Sequence, residues 1–506
     1  MATAAELELV LRDLPAHGTL IKSRPYRQVW RFEWQGKAYY LKFYPRQGGR
    51  LKRLIRGSPA WREFVRLQLL QKKKVPAPRV VSHLSGYSID GVKGDAVILE
   101  SIEPAEQLDR YLNDLALRGE PIPPRQRYEL GKGVLELVHK LGLESMGHSD
   151  LHLGNILRGE DGKLYLLDGY AVRAGGMRMR DVQLLAYSVG RWATRAEIVR
   201  GWDLLMGGGR VLPPVRKNVA RNRQYRKFLE SAASENPYFG KLTLDPWRGN
   251  FFKHAKFPRR WSRASQMDIT REDWERAWPD LLARIETDQL EIIKRSPSGD
   301  VLAGHVALSG RPIDVIVKRA RRKRWIQYIS EFGRGGRSWR AWLKAWSLIV
   351  RDIPTAWPVL VMQKRVLGYV TDSVIVFERV QGQQLADVDL DALSPCARQD
   401  LFRRLGRTLR ELEQKGLNQY DSKATNWIIM SDDKLGPVPV IVDVDGIRRW
   451  VPAMWPIERL LRSMREHPQY TPADSKELCL GYAPWARLMK EQGSGFGVQA
   501  SGETTG

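Results

Sequence analysis

Cysteine is almost missing: Cys396 and Cys479 are the only two in 506 residues, and neither belongs to a Cys-x-x-Cys pair or a histidine cluster at ligand spacing. That excludes a disulfide framework and a structural zinc, and it fits a reducing compartment. Long apolar runs are missing too, since no stretch approaches the roughly 18 residues that a membrane-spanning helix needs. The opening MATAAELELVLRDL carries acidic residues inside its apolar stretch, unlike a secretory signal. Any contact with a membrane is therefore expected from outside the bilayer. No zinc-finger, RNP-like or helix-turn-helix pattern occurs, so nucleic acid ranks last among partners.

Charge and core material are plentiful. Hydrophobic residues make up 43% and charged residues 28%, as in an ordinary globular protein. A chain of 506 residues exceeds one ordinary core, so two or three domains are expected. Lys and Arg number 83 against 57 Asp and Glu, a net charge of +26 that attracts polyanions such as anionic lipid or phosphorylated glycolipid.

The chemistry is carried by one spacing that occurs twice. His148 to Leu157 reads HSDLHLGNIL, with Asp150 five residues before Asn155, and DSKATN repeats that spacing with Asp421 and Asn426. Asp-x-x-x-x-Asn suits phosphoryl transfer, where the Asp orients a hydroxyl and takes its proton while the Asn holds a metal ion.

Around each loop the same order of elements recurs. Alternation from Leu20 to Tyr44 about Gln35-Gly36 predicts hairpin strands, with Lys42 in the last. Ser58 and Pro59 predict a capped helix start, and that helix carries Glu63. DAVILES is a further strand, a helix is expected from about Arg125 to Lys140, and KLYLLDGY ends on Asp168. The second pass begins near Asp268 with DITREDWERAWPDLLARI, a cap-like helix start. Lys318 then answers Lys42, IPTAWP answers VPAPRV, VIVFERV answers VILESIE, and Asp443 answers Asp168, all near one offset. Asp445 competes with Asp443, which is preferred because it follows the apolar strand directly. The expected domains are 1–240 and 241–506, with the polar stretch from about Val215 to Ser265 read as the end of the first domain or a linker.

These residues resemble the lipopolysaccharide-core kinase family, bacterial enzymes that phosphorylate Kdo or heptose and share a protein-kinase-like fold. The resemblance implies an α+β chain of two tandem bilobal domains, each with a small antiparallel-sheet lobe and a larger helical lobe. It implies that Lys42 holds ATP phosphates and pairs with Glu63, that Asp150 positions the acceptor hydroxyl, and that Asn155 and Asp168 bind Mg²⁺. His148 is expected to brace the loop. Lys318, Asp421, Asn426 and Asp443 are the second set, with Lys423 placed to stabilise the transferring phosphoryl group where the first half has His152.

The departures are concrete. Neither half has a Gly-x-Gly-x-x-Gly loop: KSRPYRQVW and RSPSGDV stand there instead. In the second half Ala341 falls at the place of Glu63, and Gln419 replaces the histidine. The expected function is phosphorylation of a sugar hydroxyl in lipopolysaccharide core or a related glycolipid, by a cytoplasmic protein in peripheral contact with the inner membrane. The alternatives are a bacterial protein Ser/Thr/Tyr kinase, against which the short segment after Asp168 without Ala-Pro-Glu counts, and an active first domain with a regulatory second. Trp339, Trp342 and Trp346 share one helical face, read as packing against a sheet or docking at a membrane interface. The run KRARRKR, 318 to 324, reads as a solvated face or a site for anionic lipid or phosphorylated sugar.

Overall fold

The computed structural model describes residues 10–46, 58–120, 122–193, 197, 219–297, 299–320, 336–367, 369–434, 436–449 and 454–482. It divides into two compact units, residues 1–223 and 224–506. Each is α+β, with antiparallel sheet and helices.

In the first unit, strands β1 (Gly18–Arg24), β2 (Arg27–Trp34), β3 (Lys37–Pro45), β4 (Val80–Ile89) and β5 (Val92–Glu100) form an antiparallel sheet in the order β1-β2-β3-β5-β4. Gln35 and Gly36 both take positive φ, 51° and 69°, the primed-turn geometry that matches strand twist in a two-residue hairpin. Alternation along β3 sends Leu41 and Phe43 to one face, where they pack with Phe32, Ala96 and Ile98. Tyr44 joins the opposite core with Val97 and Leu99, where helix α1 (Pro59–Lys72) contributes Leu67 and Leu70. Ser58 caps that helix by accepting from the Trp61 amide, and Pro59 opens it, as the residue types dictate. Helix α2 (Pro124–Leu143) follows, slightly longer than its apolar period implies. It leads into a short pair of strands, Met146–His148 against Val172–Ala174, that frames the HSDLHLGN loop.

In the second unit the sheet has seven strands: β6 (Phe239–Leu244), β7 (Trp247–Phe252), β8 (Glu291–Ser296), β9 (Gly299–Leu308), β10 (Arg311–Ala320), β11 (Pro358–Val366) and β12 (Tyr369–Glu378). Their order is β6-β7-β11-β12-β10-β9-β8. The β6–β7 hairpin falls inside the stretch read as the end of the first domain or a linker. Its apolar residues Phe239, Phe251 and Phe252 bury themselves in the second unit's core, so the hairpin belongs to that core. The compact division lies at 223, within about 20 residues of the expected boundary, and the hairpin lies wholly in the second unit. Helix α3 (Arg271–Glu286) starts at a reciprocal capping box of Thr270 and Asp273. Helix α4 (Arg337–Ile349) lies on the sheet, and α5 (Pro395–Gln414) and α6 (Trp455–Met464) flank the second loop.

The tryptophans of α4 settle one alternative. Trp342 and Trp346 are buried among Phe239, Phe252 and Trp357, and Trp339 packs partly buried against the same core. They are core residues, not a membrane-docking face. Residues 321 to 324 of the KRARRKR run lie outside the described residues. Among the described residues no helix is long and apolar enough to cross a membrane.

Candidate active site

In a strand, residues two apart share a face, so Lys42 and Tyr44 both point from β3 toward α1. Glu63 meets them there with its side chain fully buried: Lys42 Nζ donates to Oε1 at 2.5 Å, and Tyr44 Oη to Oε2 at 2.5 Å. Both carboxylate oxygens are therefore engaged, which a buried charge requires. Burial first, and the Glu63 charge second, push the Tyr44 phenol well above its ordinary range, so it stays a donor.

The loop from His148 to Asn155 is held by its own side chains and backbone. Asn155 Nδ2 donates to the Asp150 main-chain carbonyl at 2.8 Å and to its carboxylate at 3.3 Å, which turns Oδ1 away from Asp150. A short 3₁₀ turn, Leu153–Asn155, starts where the Leu153 amide donates to Ser188 Oγ. The Asp150 side chain remains 58% exposed. The His152 hydrogen bond outweighs burial and holds the Asp150 carboxyl below its ordinary value, so it is an ionised acceptor near neutral pH.

His148 is wholly buried and donates from Nε2 to the carbonyl oxygens of Leu167, 3.1 Å, and Asp168, 3.2 Å. It ties its own strand to the Leu167–Asp168 segment that follows the strand Leu164–Leu166. Burial keeps the imidazole below its ordinary value of 6.5, so the folded chain leaves it neutral where an unfolded chain would take a proton. The linked stability is complete above about pH 6.5 and is lost as pH falls below it. His148→Gln is expected to preserve the brace and to flatten the acid limb of a plot of urea midpoint against pH. An equally steep limb in the variant would remove His148 as its source.

Asp168 takes a left-handed backbone, φ 59° and ψ 64°. That conformation carries a steric penalty for a residue with a Cβ, on the order of 1–2 kcal/mol. Gly169 then permits the turn to touch α1: an added Cβ would lie 2.5 Å from Leu67. Tyr170 locks the same contact, because its carbonyl accepts from Arg66 and its ring lies under the Arg62 and Arg66 guanidinium groups.

Arg27 completes the arrangement. It stands in KSRPYRQVW, where glycines are lacking, and its Nη1 lies 3.4 Å from Asp168 Oδ1. Burial disfavours its charge, but Tyr44 and Asp168 more than offset this and hold the guanidinium above its ordinary value. Lys42, Glu63, Tyr44, Arg27 and Asp168 thus form a continuous polar chain across the site.

The second unit repeats the main hydrogen bonds that hold the loop. Asn426 Nδ2 donates to the Asp421 carbonyl at 2.7 Å and to its carboxylate at 3.4 Å. The Ala424 amide donates to Ser463 Oγ as Leu153 does to Ser188. Gln419 is buried and donates to the Asp443 carbonyl at 2.8 Å, doing what His148 does.

Its charge pairing differs. Ala341 lies five residues past the α4 cap residue Gly336, as Glu63 lies five past Ser58, so the carboxylate is absent at the matching place. Lys318 instead donates to Asp443 at 3.4 Å and to the Val442 carbonyl at 3.2 Å. Burial raises the Asp443 pKa, but Lys318 and the Asp445 amide outweigh it, and the net direction is down. Asp445 belongs to α4: Arg337 Nε donates to it at 2.7 Å, and Lys344 donates to its carbonyl at 2.6 Å. Asp421 lies 3.1 Å from Lys423 and 3.5 Å from Arg459. Asp443 does not share the left-handed backbone of Asp168.

Sequence reasoning missed Tyr44, Tyr170, Arg27 and the two loop-holding serines. Strand alternation beside Lys42 could have found Tyr44, and the repeat could have paired Ser188 with Ser463. Nothing local marks Arg27.

Among the described residues no three His, Cys, Asp or Glu side chains converge to hold a metal by themselves. Mg²⁺ in a phosphoryl-transfer site takes one or two protein oxygens and the rest from phosphate and water. Asn155 and Asp168 in the first unit are a donor set of that kind.

Comparison with known proteins bears on the first unit. Residues 16–169 match the Kdo/WaaP lipopolysaccharide kinase family, a span that holds Lys42, Glu63, His148, Asp150, Asn155 and Asp168. Over those residues the chain is similar to lipopolysaccharide kinases, enzymes that transfer phosphoryl groups. A solved structure described as WaaP in complex with acyl carrier protein is 19% identical with a TM-score of 0.34, and the alignment covers 43% of this chain and 90% of that one. No curated protein matches the sequence.

Proposed function

We propose that the first unit transfers the terminal phosphoryl group of ATP to a hydroxyl of a sugar in lipopolysaccharide core, Kdo or heptose, or in a related anionic glycolipid. The observation that carries this reading is the buried Lys42–Glu63 pair, within the same unit as an exposed, ionised Asp150. Glu63 fixes the Lys42 ammonium where the α- and β-phosphates arrive. Asp150 accepts the proton of the acceptor hydroxyl as its oxygen bonds to the γ-phosphorus and the bridging P–O bond to ADP breaks. Mg²⁺, held by Asn155 and Asp168, would neutralise charge between the β- and γ-phosphates. The net charge of +26 favours an anionic acceptor and a protein working at the cytoplasmic face of a membrane.

The second unit reads as a regulatory copy rather than a second catalyst. Lys318 has Asp443 as its partner in place of a helix carboxylate, a specific observation that favours this over two equal sites.

The test uses the full chain with labelled ATP and separate pools of core glycolipid, free sugar and protein. Label is expected in the saccharide pools and to vanish in Asp150→Asn. Label in the protein pool alone would reject the sugar acceptor in favour of a protein kinase.

A further inference from the structure

We infer that the second unit binds a nucleoside triphosphate through its cations alone, without a divalent metal. The inference rests on the kinase-like reading of that unit and concerns a site where Asp443, the expected metal carboxylate, is already paired with Lys318.

Lys318 occupies the strand position of Lys42: it pairs across to Val301 and Ile375 as Lys42 pairs to Val29 and Val97. A triphosphate that reaches Lys42 in the first unit therefore has the same ammonium to reach in the second. What differs is the company of the carboxylates. Asp443 is held by Lys318, Asp445 by Arg337, and Asp421 by both Lys423 and Arg459. With Lys344 on the Asp445 carbonyl, five cations face three carboxylates. In the first unit Glu63 takes up Lys42, so that among the described residues the carboxylates of Asp150 and Asp168 pair with Arg27 and the imidazole of His152.

A divalent cation entering the second site would have to displace Lys318 from Asp443 against a local surplus of positive charge. A polyphosphate meets that surplus as attraction. The backbone points the same way, since Asp443 lacks the left-handed conformation with which Asp168 is presented.

The arrangement predicts the sign of one substitution. Where a metal bridges Asp443 to phosphate, Asp443→Asn weakens nucleotide binding. Where Asp443 only competes with phosphate for Lys318, the same change releases the ammonium and tightens binding.

The experiment follows mant-ATP fluorescence with the full chain carrying Lys42→Ala, in EDTA and in Mg²⁺. Binding is expected to persist in EDTA, to strengthen about tenfold in Asp443→Asn, and to weaken about tenfold or more in Lys318→Ala. Because Lys42→Ala removes a buried partner, 8-azido-ATP is also photolysed on the unsubstituted chain in EDTA, and labelled peptides are expected from residues 224–506. Binding only with Mg²⁺, weaker binding in Asp443→Asn, or no label in those residues would overturn the inference. Magnesium-dependent, Asp150-dependent transfer to sugar reports the first unit separately, so the two readings fail independently.

Discussion

Asp150→Asn is expected to lower the rate of phosphoryl transfer by about 10²–10⁴-fold while leaving ATP binding close to that of the unsubstituted chain. The amide fills the same volume but does not accept the proton of the attacking hydroxyl. The loop should survive the change, because the stronger anchor from Asn155 goes to the Asp150 main-chain carbonyl at 2.8 Å and not to the carboxylate. Steady-state kinetics should therefore show the loss in kcat, with nucleotide affinity from direct binding unaltered. Asp421→Asn makes the contrast. The same loop geometry is present there, but its carboxylate is drawn to Lys423 and Arg459, and the loss of transfer should be far smaller. Equal losses from the two substitutions would mean that both units turn over in one sequence of steps.

Glu63→Ala should have the largest effect on stability. Removing the carboxylate leaves the Lys42 ammonium and the Tyr44 hydroxyl without the acceptor both share, at a side chain that is 0% exposed. Loss of one partner of a buried charge pair typically costs about 3–5 kcal/mol, because the other charge is left unpaired in a poor solvent. A urea denaturation curve should move to lower denaturant, and nucleotide affinity should fall with it, since Lys42 loses the group that aims it. Glu63→Gln keeps an oxygen for one donor and should cost less on both measures. A Glu63→Ala chain as stable as the parent would mean that Lys42 finds another partner, as Lys318 does in the second unit.

That comparison shows why the site was only partly legible. Strand alternation and helix capping are local, so Lys42, Glu63 and the Ser58 cap could be placed from neighbouring residues alone. The Asp-x-x-x-x-Asn spacing closes within one turn, and its internal hydrogen bonds recur in both units regardless of what surrounds them. The hairpin Phe239–Phe252 was hidden because a polar, basic stretch with scattered aromatics reads as a connection until its partner strand, Pro358–Val366, is known. Trp342 and Trp346 share a helical face by spacing, but which medium that face meets depends on a sheet contributed by distant segments.

The chain itself determined the order of lysine, acidic helix residue, loop aspartate, asparagine and second aspartate, because the strand alternation, helix cap and loop spacing that mark them are local. The tertiary structure alone decided which partners the other charges of the two sites find. Arg27 reaches Asp168, Lys318 turns to Asp443, and Arg337 claims Asp445, each across more than a hundred residues. Ion pairing depends on separation in space and on exclusion of water, and neither quantity is written in the spacing of residues along a chain.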